Sequence, residues 1–359
     1  MLKIPHSLKI EHLAAEALRL LLERVPVIDH LDVQCEAPGV DREIDIVAHA
    51  DVSGRRYTLV CEVKSGGQPR HVRTGLLQLR NYVAHQGPDA IPVFIAPYLS
   101  SEAQALCREY GAGFLDLEGN ACIAFGSIFV ERQVASKPVA ERRELRSLFK
   151  PKSAQVLRVL LRDPHHAWRV AELADAAEVS LGHVSNVRSG LLDREWAQLS
   201  RDGLFVSDPD ALLDAWRDAY DAPAGKNLGF YTTLHGSGFA DAVRDMMRVR
   251  APAGRAVLAS FSAAQWLAPY GRTGTQYFYA DDEGLEQLRS VLKLSSTAKG
   301  ENVAVTVLET PGLFLDTVEP ASGVFCTSPV QTYLDLAAAG ERGQEAAEHL
   351  RKEKLTWQK

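Results

Sequence analysis

The stretch at residues 41–82 constrains this chain more than any other. It reads D-R-E-I-D-I-V-A-H-A-D-V-S-G-R-R-Y-T-L-V-C-E-V-K-S and continues into a basic segment ending Q-L-R-N-Y. Two β-rich runs, 43–48 and 57–63, flank a turn signal at 51–56 with Ser53-Gly54 at its tip, which predicts a hairpin. Side chains alternate along a strand, so Glu62 and Lys64 point one way while Cys61 and Val63 point the other. Asp45, on the paired strand, can bring a second carboxylate to the same place. Buried charge without partners is costly, so such a group needs a reason. Two carboxylates suit a hard divalent cation that keeps several of its waters. Such a cation lowers the pKa of a bound water and polarises a phosphoryl oxygen. A lysine beside it stabilises developing charge. The plainer reading is a solvated Glu62–Lys64 pair on an edge strand; the apolar residues around Asp45 and Glu62 argue for burial instead.

The order I-D-I-V-A, hairpin, L-V-C-E-V-K, then Q-L-R-N-Y resembles the PD-(D/E)xK nuclease superfamily, especially its resolvase-like and restriction-like branches, over roughly residues 1–132. The resemblance implies a restriction-endonuclease-like mixed sheet. It implies Asp45 and Glu62 as ligands of Mg²⁺ or Mn²⁺, Lys64 as the catalytic lysine, and Gln78 as the polar residue of the following helix. Glu16, on the first helix, would be an accessory metal-binding acid. The hairpin here is longer than is usual for the family, and the superfamily includes inactive, structural members.

With 359 residues and 46% hydrophobic content, the chain is long enough for two or three globular domains. It holds no apolar run of membrane-spanning length, and its polar N-terminus shows no signal peptide. Five cysteines without a C-x-x-C argue for a reducing cytoplasm and against a zinc site. The net charge of −6 means that a nucleic-acid partner would have to be met by local basic patches.

Along the rest of the first segment, residues 11–24 read as an amphipathic helix and 27–36 as a strand. Residues 70–84 form a basic helix with Arg70, His71, Arg73 and Arg80, either solvated or facing phosphates. Strands at 91–96, 114–117, 121–125 and 128–131, with a helix opened by a capping box at Ser101, complete a mixed α/β domain at 1–133. Residues 134–151 are a basic linker or linking helix whose Arg142, Arg143 and Arg146 could strap a DNA backbone.

Residues 152–221 predict helix, helix, turn, helix and a hairpin with Arg201 at its tip. Ser180 is a good N-cap for the last of these helices. Leu181, Val184, Val187 and Leu191 form its expected inward stripe, and His183, Asn186, Arg188 and Ser189 its outward face. This order resembles a winged helix-turn-helix, which implies a helix entering the major groove, with Asn186 suited to adenine and Arg188 to guanine or phosphate. Against that stands the segment's own charge, eight Lys and Arg to twelve Asp and Glu, so a docking module is the other reading.

Residues 227–359 predict a C-terminal α/β domain. Its G-S-G at 236–238 with Asp241 and Asp245 suggests a nucleotidyltransferase signature, but acids four apart fit a capped helix better. The segments L-L-D-A-W-R-D-A-Y and S-P-V-Q-T-Y-L-D-L-A-A-A-G-E-R-G-Q-E-A-A-E-H-L-R resemble the AbiEi family of type IV toxin–antitoxin regulators. That resemblance implies a DNA-binding autorepressor whose genetic partner is a nucleotidyltransferase-type toxin. The expectation is an α/β protein of three domains, a DNA endonuclease-like protein or a non-catalytic regulator. Its expected partners are double-stranded DNA and a second copy of the chain, with no membrane.

Overall fold

The structure is a computed structural model, described here for residues 6–35, 44–86, 89–134, 138–248, 255–271, 273–296 and 300–357. It is mixed α/β and divides into two compact units, Met1–Glu141 with Leu192–Glu195, and Arg142–Leu191 with Trp196–Lys359.

The first unit begins with α1 (His6–Leu22), β1 (Ile28–Cys35), β2 (Ile46–Val52) and β3 (Arg55–Val63). It continues through α2 (Pro69–Val83), β4 (Ala90–Ala96), α3 (Ser101–Glu109), β5 (Gly113–Asp116), β6 (Ala121–Phe125) and β7 (Ile128–Arg132). Its seven strands lie in chain order, with β3, β4 and β5 parallel and the other pairs antiparallel. Ser53 and Gly54 both have positive φ, 52° and 79°, the geometry that lets two residues close a hairpin along the strand twist. Strand alternation sorts the core into two layers. Ile46, Cys61 and Ile95 pack with Ala14, Leu18 and Leu22 of α1. Val60 and Phe94 face the other way, onto Val72, Leu76 and Leu79 of α2 and Ala103 of α3. The N-cap of α3 is Ser100, whose side chain accepts from the Ala103 N–H, one residue before the expected Ser101. The start of the predicted strand at residue 43 and the end of the one at 36 lie outside the described residues.

Residues expected to be a linker form α4 (Val139–Leu148). The second unit holds α5 (Pro151–Arg162), α6 (Val170–Ala176), α7 (Leu181–Asp193), the hairpin β8 (Ala197–Leu199) and β9 (Leu204–Val206), and α8 (Pro209–Asp218). The chain then runs through β10 (Gly225–Tyr231), α9 (Gly236–Arg248), β11 (Ala256–Leu258), α10 (Ser260–Leu267), β12 (Gln276–Ala280) and α11 (Asp282–Val291). It ends with β13 (Ser295–Ser296), β14 (Val303–Leu308), a 3-10 turn at Pro311–Leu315, β15 (Thr317–Ala321), β16 (Val324–Thr327), α12 (Pro329–Ala337) and α13 (Gly340–Lys354). Its sheet order is permuted, β13-β10-β14-β12-β11-β16-β15.

The break expected at 221–227 is not a break in packing. β10 starts at Gly225 and pairs with β14, and the helices on either side of that point share one unit. α5 is buried over its whole middle, Ser153 to Leu161, because it lies among α6, the 3-10 turn and α12. A helix buried all round must satisfy its own polar side chains inside. Arg158 does so in part through Gln331 on α12, at 2.9 Å. Arg351 on α13 reaches back to Asp210 and Asp214 of α8, at 2.7 and 2.6 Å. Asp241 and Asp245 lie on α9 and pair with Arg244 and Arg248, as a capped helix predicts.

Candidate functional site

The hairpin register is the key to the first cluster. Ile46 lies opposite Cys61 at the end of the paired register, and Asp45 precedes it just outside β2. There Asp45 is fixed twice: its N–H donates to the Cys61 carbonyl at 3.2 Å, and its Oδ2 accepts the Val63 N–H at 2.7 Å. Glu62 is 4% exposed and contacts the Lys64 ammonium, which is about a third exposed. Lys64 is itself held by its N–H, which donates to the Ile95 carbonyl and extends the parallel pairing one residue past β3. The buried Cys61 thiol beneath is pushed up by burial and by the Asp45 charge.

Glycines shape the wall of this cluster. A Cβ at Gly75 of α2 would come within 2.5 Å of the Phe94 ring and 3.3 Å of Glu62 Cγ, so the helix lies directly over Glu62. Gln78, one turn further on the same helix, is exposed at the rim. After Lys64 the chain turns through Gly66 and Gly67. A Cβ at Gly67 would meet the Tyr98 carbonyl oxygen at 1.8 Å, and one at Gly66 the His71 ring at 2.2 Å. Only glycine allows that close passage.

The structure brings Lys64 into contact with Glu62 and ties Asp45 to the Val63 N–H between them, while Gln78 is exposed on the helix that covers Glu62. It does not bring Glu16 there. Glu16 is exposed, pairs with Arg19 at 3.2 Å, and sits on the helix that covers the opposite face of the sheet. The amphipathic pattern of α1 placed its apolar stripe but not which sheet face that stripe would meet. Of the basic residues on α2, Arg73 is engaged within the unit by both carboxylate oxygens of Glu195, at 2.9 and 3.0 Å, and by Tyr110. It is not available for phosphates.

In the second unit α7 carries the second group of candidate residues. Ser180 caps it, its Oγ accepting the His183 N–H at 3.3 Å. Val184, Val187 and Leu191 face inward as expected, but Leu181 is 57% exposed in the first turn, where the helix has not yet met its neighbours. Asn186 and Ser189 are exposed, and His183 and Arg188 half-buried. Arg201 is exposed at the β8–β9 tip, where Gly203 is required because a Cβ would meet the Trp168 carbonyl at 2.3 Å. Arg142, Arg143 and Arg146 form the exposed side of α4, away from the buried Leu145 and Leu148.

One cluster was not visible in the sequence. Asp335 on α12 is half-buried as a residue but its carboxylate is enclosed, and its Oδ1 accepts from Tyr220, from Tyr279 at 2.9 Å and from Gln331 at 2.9 Å. Its Oδ2 has no hydrogen-bond partner. Burial pushes its carboxyl up to about 6, against the three hydrogen bonds and the Arg158 charge, which pull it down. Burial likewise raises the Tyr220 and Tyr279 hydroxyls and lowers the Arg158 guanidinium.

Among known proteins, residues 205–356 match the family described as transcriptional regulator, AbiEi antitoxin, type IV TA system. No curated protein matches the chain. Solved structures that resemble part of the chain include three. EndoMS in apo form is 21% identical, over 29% of this chain and 45% of that one, with a TM-score of 0.22. A repair endonuclease from Pyrococcus abyssi is 22% identical, over 28% and 45%, with a TM-score of 0.21. An EndoMS complex with double-stranded DNA is 22% identical, over 32% and 45%, also at 0.21. The likeness thus spans less than half the length of those chains. Among the described residues, no helix is long and apolar enough to cross a membrane.

Proposed function

We propose that this chain is a DNA-binding transcriptional regulator that serves as the antitoxin of a type IV toxin–antitoxin pair. The observation that carries the reading is the AbiEi match over residues 205–356, from β9 to α13. The order α5, α6, α7 and the β8–β9 hairpin supports it, since a winged helix-turn-helix would present α7 to the major groove. Asn186 and Arg188 would read bases, while Arg142, Arg143, Arg146 and Arg201 would neutralise phosphates. The test has two parts: footprinting on the DNA upstream of its own gene, and co-expression with a nucleotidyltransferase-type toxin encoded beside it. Protection of a defined operator together with rescue of growth supports the reading. Absence of both would sink it.

A second reading concerns the first unit, and rests on Lys64 in contact with the buried Glu62 and on Asp45 accepting the Val63 N–H between them. Two carboxylates on paired strands fit the donor set of Mg²⁺ or Mn²⁺. Among the described residues, no group of three or more acids, histidines or cysteines able to hold a metal is found. Asp45 and Glu62 would hold the cation, which when bound would supply an activated water for phosphodiester hydrolysis. Lys64 would offset charge building on the phosphate, and Gln78 would orient the substrate at the rim. Plasmid incubated with Mg²⁺ or Mn²⁺ decides this: cleavage lost in Lys64→Ala, with DNA affinity unchanged, supports it. No cleavage by the wild type with either metal, on double- or single-stranded DNA, leaves the unit a scaffold.

A further inference from the structure

The second unit contains a cleft of about 290 Å³ that shares only Arg146 with the residues those readings use. One side is built from α4, α5 and α8, the other from the end of β14, the 3-10 turn and α12. Its walls are apolar: Phe149 and Trp216 stack with ring centroids 5.7 Å apart and planes 4° from parallel, and Leu308 and Leu313 lie among the lining residues. Among the charged lining residues, Arg158 is the buried one. It is 6% exposed, its Nη1 donates to Gln331, and its buried Nε–H has no partner. Of the carboxylates whose charge it feels, Asp316 is held by Arg162 at 2.8 Å, and Asp335 is held at Oδ1 by Tyr220, Tyr279 and Gln331 while its Oδ2 is unpartnered.

A buried guanidinium with an unused N–H costs free energy unless something accepts from it. Carboxylate is the natural acceptor, because its two oxygens match the guanidinium fork. Arg146 and Lys150 add positive charge to the lining, and Asp221 and Glu309 oppose it. Those two acids favour a singly charged ligand over a phosphate dianion. The volume lies at the small end of ligand pockets. We propose that this cleft binds a small organic monoanion, a carboxylate on a flat apolar body, with Arg158 as its anchor and the Phe149–Trp216 pair beside its ring. A ligand there would touch the helical segment and the sheet at once. The proposal does not depend on DNA binding.

Isothermal titration of the full chain with 2-naphthoate, and with the neutral 2-naphthamide, tests it. One saturable site for naphthoate is expected, with the amide bound at least about tenfold more weakly. Arg158→Gln should weaken naphthoate by about tenfold or more and leave the amide unchanged. Ala222 is exposed and lines the same cleft, so Ala222→Trp should block naphthoate while leaving the circular dichroism spectrum intact. That variant decides the matter should Arg158→Gln fail to fold. Equal binding of acid and amide, saturable binding that survives Ala222→Trp, or no saturation by about 1 mM would each overturn the proposal.

Discussion

The two units place their buried charge differently. In the first, Glu62 and Lys64 lie where β3 ends, and the lysine keeps about a third of its surface in water. In the second, the Asp335 carboxylate is enclosed beneath helices, tied to Gln331, Tyr220 and Tyr279. A charge at a strand end can meet a solute without the core opening, as a reacting or metal-binding group must. A charge sealed inside acts on the fold itself, because each hydrogen bond it makes joins elements far apart in the chain.

The largest expected effect tests that contrast directly. Asp335→Ala leaves three donors without an acceptor and should cost about 3–5 kcal/mol in urea denaturation, whereas Gln78→Ala, at an exposed position of α2, should change stability by less than about 0.5 kcal/mol. Comparable costs would erase the distinction. pH sharpens it. The Asp335 carboxyl titrates near 6 in the fold, above its ordinary 3.8, so the folded state favours the neutral form. Its contribution is full below about 4 and is lost as pH rises through about 6. Asp335→Asn should therefore flatten the decline in denaturation midpoint between those values, and an unchanged slope would mean that another group titrates there.

On the binding side, Asn186→Ala and Arg188→Ala should each weaken specific DNA binding by about 1–3 kcal/mol in gel shifts. Unchanged affinity in both would make α7 a docking helix. The smallest effect concerns the first unit. Gly75→Ala forces α2 away from Phe94 and Glu62 and should cost about 1–2 kcal/mol, read by thermal unfolding at fixed pH.

How much of this was legible follows from how far apart the partners lie in the chain. The β2–β3 hairpin closes locally, so Ser53-Gly54 and the alternation of Glu62 and Lys64 were enough to read the hairpin and the Glu62–Lys64 contact. The first residues of β10, Gly225 and Lys226, fell between the two expected domains, because Ala-Pro-Ala-Gly-Lys is turn-like and only pairing with β14 makes them a strand. Arg158 was hidden for the same reason: its partner Gln331 lies 173 residues away, and nothing local marks an arginine as buried. Glu16 failed differently, since helical periodicity fixes an apolar stripe and leaves open which face of a sheet receives it.

The Ser53-Gly54 tip has a practical use. It lies at the far end of β3 from Glu62, eight residues or about 26 Å of extended strand away, and nothing stands within 4 Å of a Cβ at Gly54. A fluorophore or short epitope spliced in there would report on this protein, or tether it to a surface, while leaving the acids and the lysine at the other end of the strand undisturbed.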